Sequence, residues 1–100
     1  MEVTYRIDKD ILYIAVEGRI DASNAAETEA KIFGIKKDNP GKHTVLDADK
    51  LDYISSAGLR VLLKAQKQMN AQGSMKVIGV NESIMEVFEI TGFADILTIE

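Results

Sequence analysis

The stretch LDYISSAGLRVLL, Leu51 to Leu63, sets two adjacent serines and a glycine where an extended segment turns into a helix. Upstream, Val45 and Leu46 open a strand, and Leu51 and Ile54 flank the loop that leads into the serines. Downstream, Leu59, Leu62, Leu63 and Met69 supply an inward helical face that Gly73 closes. A helix N-terminus leaves backbone N–H groups unpaired and carries the positive end of the helix dipole, so Ser56 has two readings. It is an N-cap, or it is a hydroxyl whose phosphate the helix end would favour.

Working outward, strand and helix periods alternate. Val3, Tyr5 and Ile7 alternate with polar residues, Asp8-Lys9-Asp10 turns the chain, and Ile11 to Val16 is nearly continuously apolar. That pattern predicts an N-terminal antiparallel hairpin whose second strand is buried on both faces. Asn24 can cap a first helix with Glu27 three residues on, and Ala26, Ala30, Ile32, Phe33 and Ile35 would face inward until Asn39-Pro40-Gly41. Met75 to Val80 reads as a strand, and Asn81 or Ser83 as the cap of a third helix. Ile84, Val87 and Phe88 form its buried face, Gly92 its stop, and Ile96 to Ile99 a last short strand. Strands separated by helices imply parallel crossovers, so the fold class is α/β: one domain over residues 1–100, with a mixed, mostly parallel sheet and helices packed against it.

Composition limits the function classes. The chain has 100 residues, 46% hydrophobic and 28% charged, a net charge of −4 and no cysteine. One core can form, but thiolate metal sites and thiol catalysis are excluded. The acidic balance argues against nucleic acid as a partner, and no run is apolar enough for membrane insertion. The N-terminus shows no signal peptide, so the expected location is cytoplasmic.

No enzyme motif is present. A serine hydrolase would need the sole histidine, His43, to reach Ser56 with Asp47, Asp49 or Asp52 behind it, and G-x-S-x-G is missing. His43 follows a turn and reads as a solvated residue. Glu17, Asp21, Asp47, Asp49 and Asp52 read as ordinary loop carboxylates, since spacing brings no two together for metal or acid–base work. No phosphate-binding glycine loop occurs. Catalytic residues, metal ligands and cofactors are accordingly expected to be none.

Four landmarks, EGRIDASNA at Glu17 to Ala25, TVLDADKLDYISSAGLRVLL at Thr44 to Leu63, GSMKVIGV at Gly73 to Val80 and VFEITGFADIL at Val87 to Leu97, give the chain its resemblance to the STAS domain of bacterial anti-sigma factor antagonists. The resemblance implies a phosphorylation-controlled adaptor. Unmodified, it would bind a partner that is both anti-sigma factor and serine kinase and so regulate transcription. Phosphorylation would release that partner, and a serine phosphatase would reset the switch. The family's modified serine, two residues before the glycine, corresponds to Ser56, with Ser55 secondary. Ser55 stands where the best-understood members have an acid, Ala57 precedes Gly58, and Arg60 replaces a glycine. The implied partner surface is Asp21, Ser23, Asn24, Ser55, Ser56, Ala57, Gly58, Leu59 and Arg60 on a protein that is monomeric when free. Asp21 could equally cap the first helix with Ser23 or Asn24, and Arg60, Lys64 and Lys67 form either a basic stripe or a solvated helix face. Gly58 either keeps the partner's approach clear or merely weakens its helix. The alternative function is an unphosphorylated STAS scaffold or accessory subunit of a signalling or lipid-transport assembly; small-ligand binding is a third option.

Overall fold

The computed structural model describes residues 1–40 and 43–100. Its elements are β1 (Glu2–Asp8), β2 (Ile11–Ile20), α1 (Ala25–Asp38), β3 (His43–Asp47), β4 (Leu51–Ile54), α2 (Ser56–Gln72), β5 (Met75–Ile78) and α3 (Glu82–Thr91), followed by a 3₁₀ turn at Phe93–Asp95. The expected α/β class holds. β1 and β2 form the antiparallel hairpin, and β2–β3 and β3–β5 pair parallel, giving the order β1-β2-β3-β5.

β4 is an addition to the expected plan. Leu51–Ile54 does not merely flank a loop but pairs parallel with the far end of β2, through Gly18–Leu51, Arg19–Tyr53 and Ile20–Ile54. Between Ala15–Asp47 and Ile20–Ile54, β2 advances from 15 to 20 while the opposing chain advances from 47 to 54. That excess separates β3 from β4. Gly18 absorbs the irregularity with φ +92°, a left-handed value that glycine adopts without strain, and its N–H donates to Lys50 O at 2.9 Å.

One apolar cluster joins sheet and helices. Leu12, Ile14, Val16 and Ile20 of β2 meet Ile32 of α1, Leu59, Leu62 and Met69 of α2, Val77 of β5, and Ile84 and Phe88 of α3. β2 is thus buried on one side only; Ile11, Tyr13 and Ala15 on the other are half-buried, which corrects the two-faced expectation. α1 is rotated from its expected face. Ala25, Thr28, Ile32 and Lys36 point inward, Phe33 and Ile35 are half-buried, and Ala26 and Ala30 are exposed. Lys36 takes an inward position because a long aliphatic stem can lie along apolar surface, an option that hydropathy does not register.

Of the α2 positions expected inward, Leu59, Leu62 and Met69 are buried and Leu63 half-buried, while Val61, Ala65 and Gln66 join them. Gln66 is fully satisfied: its Nε2 donates to Met75 O at 2.9 Å and Asn70 Oδ1 at 3.0 Å, and its Oε1 accepts from Thr98 N–H. Asn81 caps α3 by accepting from Ile84 N–H at 2.8 Å, and Gly92 ends that helix at φ +81°. β5 stops at Ile78, short of Val80, and the expected strand at Ile96–Ile99 is a single bridge from Ile99 to Val77. Of Asn39-Pro40-Gly41, Asn39 caps the end of α1, whereas Gly41 lies outside the described residues.

Candidate functional site

β2 and β4 end together, and this common end builds the candidate site. Ile20 and Ile54 are register partners, and Ser55 N–H donates to Ile20 O at 2.9 Å. The next residues on each chain are the Asp21–Asn24 loop and the first turn of α2. The segments named from sequence therefore share one end of the sheet.

Ser55, and not Ser56, is the N-cap. Its backbone is extended (φ −91°, ψ 176°), its Oγ accepts from Gly58 N–H at 3.4 Å, and its carbonyl accepts from Leu59 N–H at 2.9 Å. Ser56 is the first helical residue. Its side chain is exposed, and its hydroxyl has no hydrogen-bond partner among the described residues. The N-cap reading of Ser56 is thus corrected, because the cap and its bond to Gly58 N–H belong to Ser55.

The rest of the turn divides by direction. Arg60 is exposed with no ion pair among the described residues, and Ala57 is half-buried. Gly58 and Leu59 are buried, so neither presents a side-chain surface to a partner. A Cβ on Gly58 would stand 2.6 Å from Ile54 Cγ1 and 2.8 Å from Ile20 Cγ2. Glycine is required there so that α2 can settle on the ends of the two strands.

The loop beside it is held by its own polar groups. Asp21 Oδ1 accepts from the hydroxyl and the N–H of Ser23, Asp21 N–H donates to Asn24 Oδ1 at 3.0 Å, and Asn24 Nδ2 donates to Arg19 O at 2.9 Å. Neither side chain caps α1, although Asn24 occupies the cap position; instead Asp21 O accepts from Ala25 N–H at 2.9 Å. Glu27 pairs with Lys31 at 3.3 Å, so no capping box forms. The Ser23 hydroxyl, then the Ser23 N–H, hold the Asp21 carboxyl below its ordinary value of 3.8, with Arg19 adding to the effect.

A pair that the sequence reading missed stands next to this loop. The Arg19 guanidinium lies over the Tyr53 ring, 4.3 Å from its centroid. The bulge at Gly18/Arg19 sets that register, and nothing in the local sequence announces it. The basic stripe is interrupted, since Lys64 bridges to Glu29 of α1 at 3.1 Å.

His43 is remote from Ser56. It begins β3 opposite Ile11, whereas Ser55 bonds to Ile20, so about 30 Å of β2 separates them at ~3.3 Å per residue. Its Nδ1 lies 2.9 Å from Ser74 Oγ. Among the described residues no three acidic or histidine side chains are grouped so as to hold a metal ion, and no helix is long and apolar enough to cross a membrane.

Together these features define a small mixed-sheet α/β domain that displays a helix N-terminus and a rigid polar loop side by side. The chain belongs to the STAS domain family, whose profile matches residues 2–100. It is 36% identical over 100 residues to BtrV of Bordetella bronchiseptica, provisionally named an anti-sigma factor antagonist, covering 99% of this chain and 85% of that protein. To the anti-sigma-B factor antagonist of Listeria monocytogenes it is 30% identical over 96 residues, covering 93% and 82%. The fold superposes on the crystal structure of an anti-sigma factor antagonist from Mycobacterium paratuberculosis with a TM-score of 0.86 at 18% identity, over 98% of this chain and 83% of that one.

Proposed function

We propose that the chain is an anti-sigma factor antagonist switched by phosphorylation of Ser56. The carrying observation is the division of labour between the serines: Ser55 spends its hydroxyl on the cap, while Ser56, one residue on, holds an exposed hydroxyl with no partner among the described residues. The names of its relatives supply the partner class. Unmodified, the surface of Ser56, Ala57 and Arg60 with the Asp21–Asn24 loop docks a serine-kinase anti-sigma factor in the cytoplasm. The kinase's ATP gives its γ-phosphoryl group to Ser56 Oγ, the hydroxyl proton passes to a base on the kinase, and ADP leaves. A serine phosphatase reverses the change.

Phosphate brings roughly −1.5 to −2 charges, which the start of α2 accepts and a closely fitted partner surface does not. Taking a complex from almost fully bound to almost fully free requires about 5.5 kcal/mol of differential affinity, a size that an unpaired charge buried in an interface can supply.

The test is phosphosite mapping of wild type, Ser55→Ala and Ser56→Ala purified from the native cell, with thermal melts of all three. Phosphate is expected on wild type and Ser55→Ala but not on Ser56→Ala. Stability should fall by about 0.5–1 kcal/mol in Ser55→Ala, which loses a cap, and stay within about 0.5 kcal/mol in Ser56→Ala. Phosphate that persists on Ser56→Ala and disappears from Ser55→Ala would reverse the assignment. An unphosphorylated wild type would favour the scaffold reading.

A further inference from the structure

The outer edge of β1 is the least protected part of the sheet. Six of its seven residues are exposed, with Tyr5 at 52% and Ile7 at 44%, and among the described residues it pairs with β2 alone. The β1–β2 register runs unbroken from Glu2–Glu17 to Asp8–Ile11, so no bulge turns the edge away. Exposed edges are ordinarily guarded by a proline, a lysine, a bulge or an inward-pointing charge. β1, reading EVTYRID, has none of the first three, and its one basic residue, Arg6, lies over the Tyr13 ring of β2 at 3.9 Å.

We propose that β1 is a self-association edge, on which two copies pair antiparallel about a two-fold axis at Thr4 and continue one sheet across both. The strand's own sequence selects that register. Centred on Thr4, it sets Thr4 against Thr4, Val3 against Tyr5 and Glu2 against Arg6: hydroxyl on hydroxyl, β-branched on aromatic, and acid on base. Those are the cross-strand pairs that stabilise antiparallel sheets. Centring on Tyr5 sets Glu2 against Asp8, and centring on Arg6 sets Arg6 against itself. A slip by a single residue puts the apolar Val3 and Tyr5 opposite charged or polar residues on the wrong face. The occupant is therefore a second copy of this chain, in a symmetric, closed arrangement.

Thr4 pairs with Ala15, and Ala15 lies five residues before Ile20, so each candidate site falls about 17 Å along the strand from the axis, in opposite directions. A dimer would leave both sites open. The sequence reading expects a free monomer; this edge makes association concentration-dependent instead, and the inference is independent of whether Ser56 is phosphorylated.

The chain has no cysteine, so single-cysteine variants report the register cleanly. Under mild oxidation Thr4→Cys should form a disulfide-linked dimer, because directly opposed residues have Cα atoms about 4.5–5.5 Å apart. Tyr5→Cys should not, because its symmetry mate is displaced by two residues, to about 8 Å, beyond disulfide reach. By sedimentation equilibrium, Arg6→Glu should weaken the wild-type dimer about tenfold, with Glu2→Arg plus Arg6→Glu restoring it. A wild type that stays monomeric up to its solubility limit would overturn the proposal, as it would if the edge served a foreign strand. Tyr5→Cys cross-linking as fast as Thr4→Cys would overturn the register and with it the proposal.

Discussion

Replacing Gly58 with alanine separates the packing account of the serine turn from the two accounts that the sequence allows. Helix propensity alone says that Gly58→Ala stabilises by up to ~1 kcal/mol. The structure says otherwise. The new methyl would lie 2.6 Å from Ile54 Cγ1, 2.8 Å from Ile20 Cγ2 and 3.1 Å from Ile20 Cβ, all on buried side chains. These atoms sit next to the backbone of two paired strands and cannot swing away as the tip of a long side chain would. Overpacking of this kind costs about 1–3 kcal/mol, so after the propensity gain the net loss should be up to about 2 kcal/mol. For a domain of this size that is a fall of about 4–8 °C in Tm per kcal/mol, and in urea a lower midpoint at unchanged slope.

A double-mutant cycle isolates the cause. Ile54→Ala alone should cost about 2–5 kcal/mol, but combined with Gly58→Ala the loss should fall short of the sum by about 1–2 kcal/mol, because the methyl then enters the space that Ile54 vacates. Partner affinity of the folded fraction should not change, since the methyl is internal. Stabilisation by Gly58→Ala with no coupling to Ile54 would refute the packing argument, and lost affinity without lost stability would return Gly58 to the interface.

Two further outcomes follow from buried and loop polar groups. Thr44 is 1% exposed and its Oγ1 has no hydrogen-bond partner among the described residues, so Thr44→Val should stabilise by about 1 kcal/mol in urea denaturation; a loss of stability would mean that the hydroxyl is satisfied in solution. Asp21 titrates below 3.8 chiefly through the Ser23 hydroxyl, so its contribution to stability is complete above the unfolded value near 3.8 and is lost as pH falls through the lower folded value. Ser23→Ala should move the Asp21 midpoint up toward 3.8 in a carbon-detected NMR titration, and an unmoved midpoint would remove Ser23 as the cause.

Element order was legible because local chemistry marks it. Asn81 and Gly92 bracket α3 as cap and stop, and the alternation of Val3, Tyr5 and Ile7 marks the first strand of the hairpin. What was lost is non-local or finer than a residue. β4 exists only because Leu51–Ile54 finds the far end of β2, which no feature of those four residues declares. The rotation of α1 follows from where Asp21 O seizes Ala25 N–H and starts the helix. At the site, the sequence located the serine turn but not which serine caps it. That depends on the extended backbone of Ser55, within the one-residue margin by which helix ends are ambiguous. Gly58 was marked as special from sequence, but its reason points inward to Ile20 and Ile54, and direction is a tertiary fact.

Those inward contacts also bear on the proposed switch, because they hold the turn without using its outward face. The first turn of α2 is fixed from below by Gly58 against two strand ends, from behind by the Ser55 N–H to Ile20, and internally by the Ser55 cap. None of these bonds uses the Ser56 hydroxyl. A phosphate on Ser56 therefore breaks nothing in the domain, and gains about 0.3–1 kcal/mol from the helix end. Arg60 lies four residues on, on the same side of the helix, within reach of a group on Ser56. In the proposed cycle phosphorylation thus changes the partner surface twice, by adding negative charge at Ser56 and by drawing the exposed Arg60 cation toward it. A hydroxyl that also capped the helix would have tied that change to the stability of α2. On the proposed cycle, the one-residue offset between Ser55 and Ser56 would keep folding and signalling on separate atoms.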